Sequence, residues 1–299
     1  MPAGELIINP MGGLANRMRA IASGLSLARD VSKFLNDGNR DQLLPQFVWS
    51  KNRELNAAFT DIFKMPDILV DRLEYPSRFK YDLLYNVPRK KNLYVTALTC
   101  LRFGVTLYDL QESYRERFKN DDDGKELLSL IADNMSHGKS CLLRGCTVFY
   151  PFDEAFYRTL FQPTEEIASL VEERLNLLGK HSIGIHIRRS DNIESISNSP
   201  DEMFMAKIKE ILSSEPNAML YLATDCETVK TRFKKIFGDH IVTGLKKADR
   251  NSVDGIREAA IELFTLAGTD RIYGSYYSSF SEAAAIIGAR PYQAITAER

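Results

Sequence analysis

The sequence lacks the features that mark several large classes of protein. No apolar run among its 299 residues approaches the roughly 18–20 residues that a helix needs to cross a bilayer. Its first twenty residues contain neither a basic segment nor an uninterrupted apolar core, so we expect no signal peptide. Lys and Arg number 39 against 40 Asp and Glu, so the broad basic field of a nucleic-acid binder is missing. We expect no integral membrane segment, no nucleic-acid partner and a cytoplasmic location.

Residue patterns that bind metals are equally scarce. The four cysteines have no C-x-x-C spacing, and the four histidines form no H-E-x-x-H or H-x-x-x-H pair. Isolated cysteines of this kind are most often buried, reduced core residues. The sequence therefore predicts no bound metal.

The second half of the chain alternates regularly between strand and helix patterns. Five short apolar stretches, "SIGIHIRR", "AMLYLAT", "HIVTG", "DRIYGS" and "YQAIT", are separated by amphipathic helical patterns. Such alternation implies crossover connections and a parallel sheet. We therefore predict an α/β, Rossmann-like second domain.

The first half opens in the same way but is less regular. "ELIINPMGGLANRMRA" predicts a strand, a Gly-rich turn and a helix, and "QFVWS" and "SCLLRGCTVFY" predict further strands. "RELNAAFTDIF" has a helical pattern, whereas the acidic "NDDDGKE" near 120–126 is typical of a solvated turn. A Pro-flanked aromatic connector, "YPFDEAFYRTLFQPTEE", suggests two domains, 1–160 and 161–299. Since open parallel sheets bind ligands at the carboxyl ends of their strands, we searched those positions for chemistry.

The first candidate is the turn in "PMGGLANRMR". Gly12 and Gly13 allow a ligand to approach the backbone closely, and the N–H groups at a helix start favour anions. The amide of Asn16 is placed to donate to a phosphate oxygen. The simpler alternative is a plain turn, with Asn16 and Arg17 on a solvated first helical turn. A P-loop kinase or sulfotransferase is disfavoured, because no G-K-[ST] follows.

The second candidate is "GIHIRRSDN". Adjacent strand residues point to opposite faces, so Arg188 and Arg189 can point the same way only if the strand has ended. The planar guanidinium fork suits bidentate contact with phosphate oxygens. With His186 before them and Asp191 after them, the two arginines predict a phosphate-binding site.

The third candidate is Asp225 in "YLATDCE", which follows a strand and begins a helix. This position suits contact with a ribose or a base edge. The alternative is a capping role, since Thr224 and Glu227 fit a capping box and Asp225 complements the helix dipole.

The fourth candidate is "GSYYSSFSEAAAI", where hydroxyl groups cluster at a helix start. Ser279 and Glu282 fit a capping box, which would explain one serine. The other hydroxyl and aromatic side chains of this stretch need another explanation: Ser275, Ser278, Ser281, Tyr276, Tyr277 and Phe280.

These four stretches together resemble a known superfamily. "GIHIRRSD" is similar to the H-x-R-R-x-D motif of the fucosyltransferases that include the α-1,2, α-1,6 and protein O-fucosyltransferases and the NodZ enzymes. "GGLANRM" resembles their N-terminal G-G-L-G-N-[QR]-M segment, with Ala15 in place of a glycine. "LYLATD" and "YSSFSEAAA" resemble two later donor-site motifs in the expected order. The likeness is strongest over 182–288 and weak over 64–160.

The resemblance implies a GT-B fold, in which two Rossmann-like domains face each other across a cleft. It implies an inverting, metal-independent transfer of fucose from GDP-fucose to a glycan hydroxyl, with no further cofactor. Arg188 would stabilise the leaving β-phosphate, and Arg189 would assist at the pyrophosphate. His186 and Asp225 would hold the guanine.

The resemblance also assigns residues around the donor. Asn16 would close on the donor from the first domain, together with the Gly12–Gly13 turn. Three residues would line the phosphate and nucleoside pocket: Ser278, Ser279 and Phe280. The first domain would bind the acceptor and the second the donor.

Several alternatives stay open at the level of sequence. The same scaffold suits a catalytically silent nucleotide-sugar or glycan-binding protein, since a fold does not determine a function. Another GDP-deoxyhexose would serve equally well as donor. The general base that an inverting transfer can use is not distinguished among four carboxylates: Glu54, Asp61, Asp109 and Glu112.

Overall fold

The computed structural model describes residues 4–35, 43–75, 101, 105–110, 121–190, 193–244 and 246–297. The chain divides into two compact units. The first unit comprises Met1–Glu54 and Met65–Leu160, and the second comprises Leu55–Lys64 and Phe161–Arg299. The sequence did not predict that the segment 55–64 groups with the second unit.

The first unit is built on a parallel five-stranded sheet. Its elements are β1 (Leu6–Pro10), α1 (Leu14–Leu35), β2 (Gln46–Val48), β3 (Leu73–Glu74), β4 (Val105–Asp109), α2 (Asp121–Ser136), β5 (Ser140–Gly145) and α3 (Glu154–Leu160). The strand order is β3-β2-β1-β5-β4, so β1 is central. Helix α1 packs closely on β1, because Gly24 brings its backbone against Ile8 and Phe47. The turn after β1 therefore lies in the middle of the carboxyl edge of this sheet.

The second unit contains another parallel five-stranded sheet. Its elements are α4 (Glu165–Leu178), β6 (Ser182–Ile187), α5 (Ile193–Asn198), α6 (Asp201–Ser214), β7 (Met219–Thr224), α7 (Glu227–Phe237), β8 (Ile241–Thr243), α8 (Val253–Gly268), β9 (Arg271–Ser275), α9 (Ser279–Gly288) and β10 (Tyr292–Ile295). The strand order is β10-β9-β6-β7-β8. Ile185 and Leu222 from the central strands pack with Phe204 of α6 and Phe233 of α7 in one apolar core. All five strands predicted for this half are present.

Two predictions for the first half were wrong. "NDDDGKE" does not form a turn but begins helix α2, where acidic residues in the first turn complement the helix dipole. Leu127, Ile131 and Met135 then follow at four-residue spacing and are buried. "RELNAAFTDIF" forms no α-helix, only a short 3-10 turn at Phe59–Asp61.

Aromatic packing explains the second of these differences. Phe59 and Phe63 lie 5.0 Å apart between ring centroids, and Phe63 also contacts Phe161 and Phe264 at 5.3 and 6.3 Å. The backbone N–H of Lys64 donates to the carbonyl of Gln162 at 2.9 Å. The segment thus follows the surface of the second unit instead of continuing as a helix.

Within the described ranges, no helix is both long and apolar enough to cross a membrane. This agrees with the sequence prediction for that part of the chain.

Candidate active site

The second unit brings three of the predicted stretches together at the carboxyl edge of its sheet. β6 lies between β7 and β9, and all three strands run in parallel. Arg188 therefore follows the end of β6 beside Ser275, the last residue of β9. The backbone N–H of Arg188 donates to Ser275 Oγ at 3.0 Å. Strand pairing thus places the first arginine of the motif in a defined position.

The side chain of Arg188 meets Asp225 across the end of β7. Arg188 Nη1 lies 3.0 Å from Asp225 Oδ2, and the two side chains are 16% and 14% exposed. The ion pair is partly desolvated, so it orients the guanidinium more strongly than a surface pair would. It also leaves both side chains in contact with solvent. The arginine is held in place yet remains accessible to a ligand.

Arg189 points to a different carboxylate. Its Nε and Nη2 atoms donate to Asp201 Oδ1 at 2.8 and 2.6 Å. Nη1 donates to the carbonyl of Arg188 at 2.7 Å, and Nη2 also donates to the carbonyl of Ser199 at 2.8 Å. The guanidinium lies over the ring of Phe204, 5.9 Å from its centroid. Four hydrogen bonds and an ion pair therefore tie Arg189 into the turn that presents Arg188.

Asp225 organises the same turn. Its Oδ1 accepts the N–H of Arg189 at 2.8 Å, and its Oδ2 accepts the hydroxyl of Ser190 at 2.6 Å. Burial raises the pKa of Asp225, but the Arg188 cation and these hydrogen bonds outweigh burial, so the pKa lies below its ordinary value. The carboxylate stays ionised beside the arginine.

The capping interpretation of Asp225 is wrong. Helix α7 begins at Glu227, and its N-cap residue, Cys226, makes no side-chain capping bond. Thr224 Oγ1 accepts the N–H of Cys226 at 3.3 Å, and Asp225 turns toward the arginines instead.

His186 lies beneath this turn with the predicted residues of α9. It is 4% exposed, its Nδ1 is 3.4 Å from Ser278 Oγ, and its ring centroid is 4.8 Å from that of Phe280. Burial and the nearby Arg188 cation lower the pKa of His186 to about 3, so the imidazole is neutral near pH 7. Ser279, the first residue of α9, is half-buried. The capping box with Glu282 does not form, because the N-cap of α9 is Ser278 and makes no side-chain capping bond.

Ser199 is a residue of this site that the sequence did not single out. It is buried, its carbonyl accepts from Arg189, and its hydroxyl accepts the N–H of Tyr276 at 2.7 Å. Ser199 and Asp201 flank the start of α6, where "SNSPDEM" reads as an ordinary helix entry. The pattern that would have identified them is the pair of polar residues around a helix start beside a motif arginine.

In the first unit, the predicted Gly-rich turn follows β1. Gly12 has φ +82°, and a Cβ there would lie 2.7 Å from Asn16 Nδ2, so the residue must be glycine. The N–H of Gly12 donates to Glu54 Oε2 at 2.9 Å. Gly13 immediately precedes helix α1. Asn16 Oδ1 is buried and has no hydrogen-bond partner in the described part of the chain.

Arg17 is not on a solvated helical turn, so that part of the alternative interpretation was wrong. It is fully buried, and its guanidinium donates to the carbonyls of Gly12 and Ser50 at 2.9 and 2.6 Å and to Asn52 Oδ1 at 3.1 Å. Its Cζ lies 5.1 Å from the ring centroid of Trp49. Burial lowers the pKa of Arg17 to about 10, although nearby Glu54 opposes that shift. Arg17 fastens the Gly12 turn to the loop after β2.

The remaining predicted carboxylates are not equivalent. Asp109 forms an ion pair with buried Arg144 at 2.6 Å, and Asp61 Oδ2 accepts the N–H of Ala58 at 2.7 Å. Asp191 and Glu112 lie outside the described residues. Within the described ranges, no group of three or more His, Cys, Asp or Glu side chains is placed to hold a metal ion.

Comparison with known proteins identifies the fold. No family model matches the chain, and no curated protein matches it by sequence. Among solved structures, NodZ α-1,6-fucosyltransferase soaked with GDP-fucose matches with a TM-score of 0.56, 16% identity and coverage of 95% of this chain and 92% of that one. The chain has the fold of the fucosyltransferase superfamily. This confirms the predicted fold class and the resemblance seen in the motifs.

Two other fucosyltransferases match over the same extent. Arabidopsis thaliana FUT1 in complex with GDP gives a TM-score of 0.60 at 15% identity, covering 98% of this chain and 70% of that one. POFUT1 in complex with GDP gives 0.55 at 13% identity, covering 99% of each chain. In this fucosyltransferase fold, the polar residues of each unit lie at the carboxyl edge of a parallel sheet, where open α/β sheets bind ligands.

Proposed function

We propose that the protein is an inverting glycosyltransferase that transfers fucose from GDP-fucose to a hydroxyl group of a glycan. The observation that carries the proposal is the arginine at the end of β6, oriented by Asp225 and by the hydroxyl of Ser275. It occurs in the fold of enzymes whose structures hold GDP or GDP-fucose. A nucleoside diphosphate is the anion that fits this cation.

The chemistry requires a cation at this point. As GDP leaves, negative charge develops on the β-phosphate while the sugar gains positive character. A guanidinium that is already oriented stabilises this charge without reorganising at the moment of reaction. We assign that role to Arg188, with Asp225 as the residue that positions it.

We assign Arg189 a positioning role as well. The resemblance gave it a contact with the pyrophosphate, but its hydrogen bonds go to Asp201, Ser199 and the backbone of Arg188. Breaking them to reach a ligand would leave Asp201 without its closest partner. Arg189 therefore acts through the shape of the turn.

The nucleoside is proposed to lie over the neighbouring residues of β6 and α9. His186 is neutral, so it recognises a neutral base by hydrogen bonding rather than by charge. Phe280 packs on it and Ser278 fixes its ring. Ser279 stands at the start of α9, where backbone N–H groups favour phosphate. Asp191 keeps its predicted donor role, which the described residues do not test.

The donor is proposed to be the only small molecule that the reaction needs besides the acceptor. The arginine takes the place of a divalent cation at the pyrophosphate, so GDP release from GDP-fucose should be unchanged by EDTA. Loss of turnover on chelation, restored by Mg²⁺ or Mn²⁺, would contradict this part of the proposal.

Calorimetric titration with GDP, GDP-fucose, GDP-mannose and UDP tests the donor assignment. We expect GDP and GDP-fucose to bind and UDP to bind far more weakly. Binding of UDP without GDP would overturn the proposal. Binding of GDP-fucose with no release of GDP over hours would show a catalytically silent protein instead.

A further inference from the structure

We infer that the Gly12 turn of the first unit binds the hydroxyl group of the acceptor, and that Glu54 is the base that deprotonates it. The inference rests on the proposed function and names the catalytic residue that the sequence left open. Three features of the turn support it: a carboxylate already in place, an unsatisfied buried oxygen, and a cation that is fully engaged elsewhere.

The carboxylate decides against an anion. A helix start with a Gly-rich turn would ordinarily attract phosphate. Here the N–H of Gly12 is already bound by Glu54 Oε2 at 2.9 Å. A phosphate entering the turn would meet this negative charge at short range, where like charges repel. The turn is therefore built for a neutral ligand.

The nearby arginine does not offset that charge for a ligand. Arg17 is buried, and its N–H groups are directed to the carbonyls of Gly12 and Ser50 and to Asn52. It lies on the inner side of the turn and fixes the backbone conformation. Its influence on Glu54 is to favour the ionised carboxylate, which is the form that a base requires.

The second feature shows which neutral ligand fits. Asn16 Oδ1 is buried without a hydrogen-bond partner in the described part of the chain, and its amide lies against Gly12. A buried acceptor without a donor costs about 1–3 kcal/mol. Asn16 and Glu54 thus place two hydrogen-bond acceptors beside the same glycine. Their complement is a group that donates, and a sugar hydroxyl is such a group.

The other carboxylates are less suited to the role. Asp109 is held by buried Arg144 at 2.6 Å. Asp61 is bound to the N–H of Ala58 and belongs to the second unit. Glu54 is exposed, and its single printed hydrogen bond anchors one oxygen while the residue remains accessible. A base must reach the proton that it removes, and Glu54 meets that condition.

The proposed step balances as follows. The acceptor hydroxyl gives its proton to the Glu54 carboxylate, and its oxygen forms a bond to the anomeric carbon of fucose. The bond between that carbon and the β-phosphate oxygen breaks, and its electron pair leaves with GDP. Glu54 ends the step as a carboxylic acid and loses the proton to solvent.

The test uses GDP-fucose hydrolysis, in which water is the acceptor, so the natural acceptor need not be known. Glu54→Gln keeps an oxygen for the N–H of Gly12 but removes the base. We expect the rate of GDP release to fall by about 10²–10⁴-fold, with GDP affinity within about twofold of the unmodified protein. Sodium azide, which needs no deprotonation, should restore GDP release in the variant and yield fucosyl azide. Glu5→Gln makes the same change just before β1, at the opposite edge of the sheet, and should leave every value unchanged.

Three results would overturn the inference. Hydrolysis by Glu54→Gln at the normal rate would show that Glu54 is not the base. A slow variant that azide fails to rescue would show that Glu54 only supports the turn. A tenfold loss of GDP affinity would place it at the donor. If the unmodified protein fails to bind GDP, the proposed function itself fails, and that result is seen before any variant is made.

Discussion

At the scale of single residues, two adjacent arginines have different tasks because they meet different carboxylates. Arg188 shares Asp225 with the backbone of its own turn, and Arg189 is bound by Asp201. The second pair is the more completely enclosed, since Arg189 also donates to two carbonyl groups. Chemistry at this site therefore depends on one arginine, and the shape of the turn depends on the other.

Removal of the Asp201 charge tests the supporting role of Arg189. Asp201→Asn leaves a largely buried guanidinium without its counter-ion, and we expect a loss of about 3 kcal/mol in the free energy of unfolding. Arg232→Ala is the matched control, because Arg232 contacts the same carboxylate at 3.2 Å but is 45% exposed. That change should cost less than about 1 kcal/mol. Equal losses in chemical denaturation would show that Arg189 is not held by this pair.

His186 gives a pH dependence that can be isolated. Its pKa is lowered to about 3 in the folded protein, so between pH 6.5 and 3 the unfolded chain binds a proton that the folded one does not. Stability from this group is complete above pH 6.5 and falls as the pH falls toward 3. Glu262, whose buried carboxyl has its pKa raised to about 8, acts in the opposite direction between pH 4.5 and 8.

The difference between the unmodified protein and His186→Gln removes the Glu262 contribution, which both proteins share. We expect the stability advantage of the unmodified protein to shrink by up to about 1.4 kcal/mol per pH unit between pH 6 and 4. Denaturant unfolding across this range measures it. A difference that does not change with pH would mean that the imidazole is not buried in its neutral form.

At the scale of elements, β6 is the strand on which the donor half depends. It pairs with β7 and β9, and its six residues are all buried. Gly184 lets α8 approach it, since a Cβ there would lie 2.8 Å from Thr269 Oγ1 and 2.9 Å from Leu266 Cδ2. The positions of Arg188 and Arg189 follow from this close contact between strand and helix.

Gly184→Ala should therefore destabilise the protein by about 1–3 kcal/mol, because the new methyl group overpacks this contact. Gly124→Ala makes the same change in helix α2, where the nearest atom, Pro151 Cδ, would be 3.7 Å away. That control should stabilise the protein by about 0.5–1 kcal/mol, because alanine favours a helix more than glycine does. Equal signs for the two substitutions in denaturant unfolding would contradict this packing account.

The elements also show what the sequence can and cannot predict. The strands of the second unit were predictable, because period-two patterns and long helical patterns alternate there without interruption. Helix α2 was missed because its acidic start resembles a turn until the buried residues after it are counted. The burial of Arg17 was not predictable, since its partners Ser50 and Asn52 lie more than thirty residues away. Polar residues announce their chemistry in a sequence but not their partners.

At the scale of the whole molecule, the chain comprises two Rossmann-like units with polar residues at the carboxyl edge of each sheet. The donor half was predicted from four motifs, and three of them meet around β6. The segment 55–64 was assigned to the other unit by sequence, because nothing local shows that Phe59 and Phe63 pack on Phe161 and Phe264. The division of labour that we propose gives phosphate chemistry to the second unit and hydroxyl chemistry to the first.

The most direct test of this account compares turnover with binding in Arg188 variants. We expect Arg188→Ala to remain folded and to bind GDP measurably, while kcat for GDP release from GDP-fucose falls by about 10²–10³-fold. Arg188→Lys should recover only part of that loss, since an ammonium group lacks the planar fork. If Arg188→Ala turns over GDP-fucose at the normal rate, Arg188 does not stabilise the leaving phosphate and the proposed mechanism is wrong.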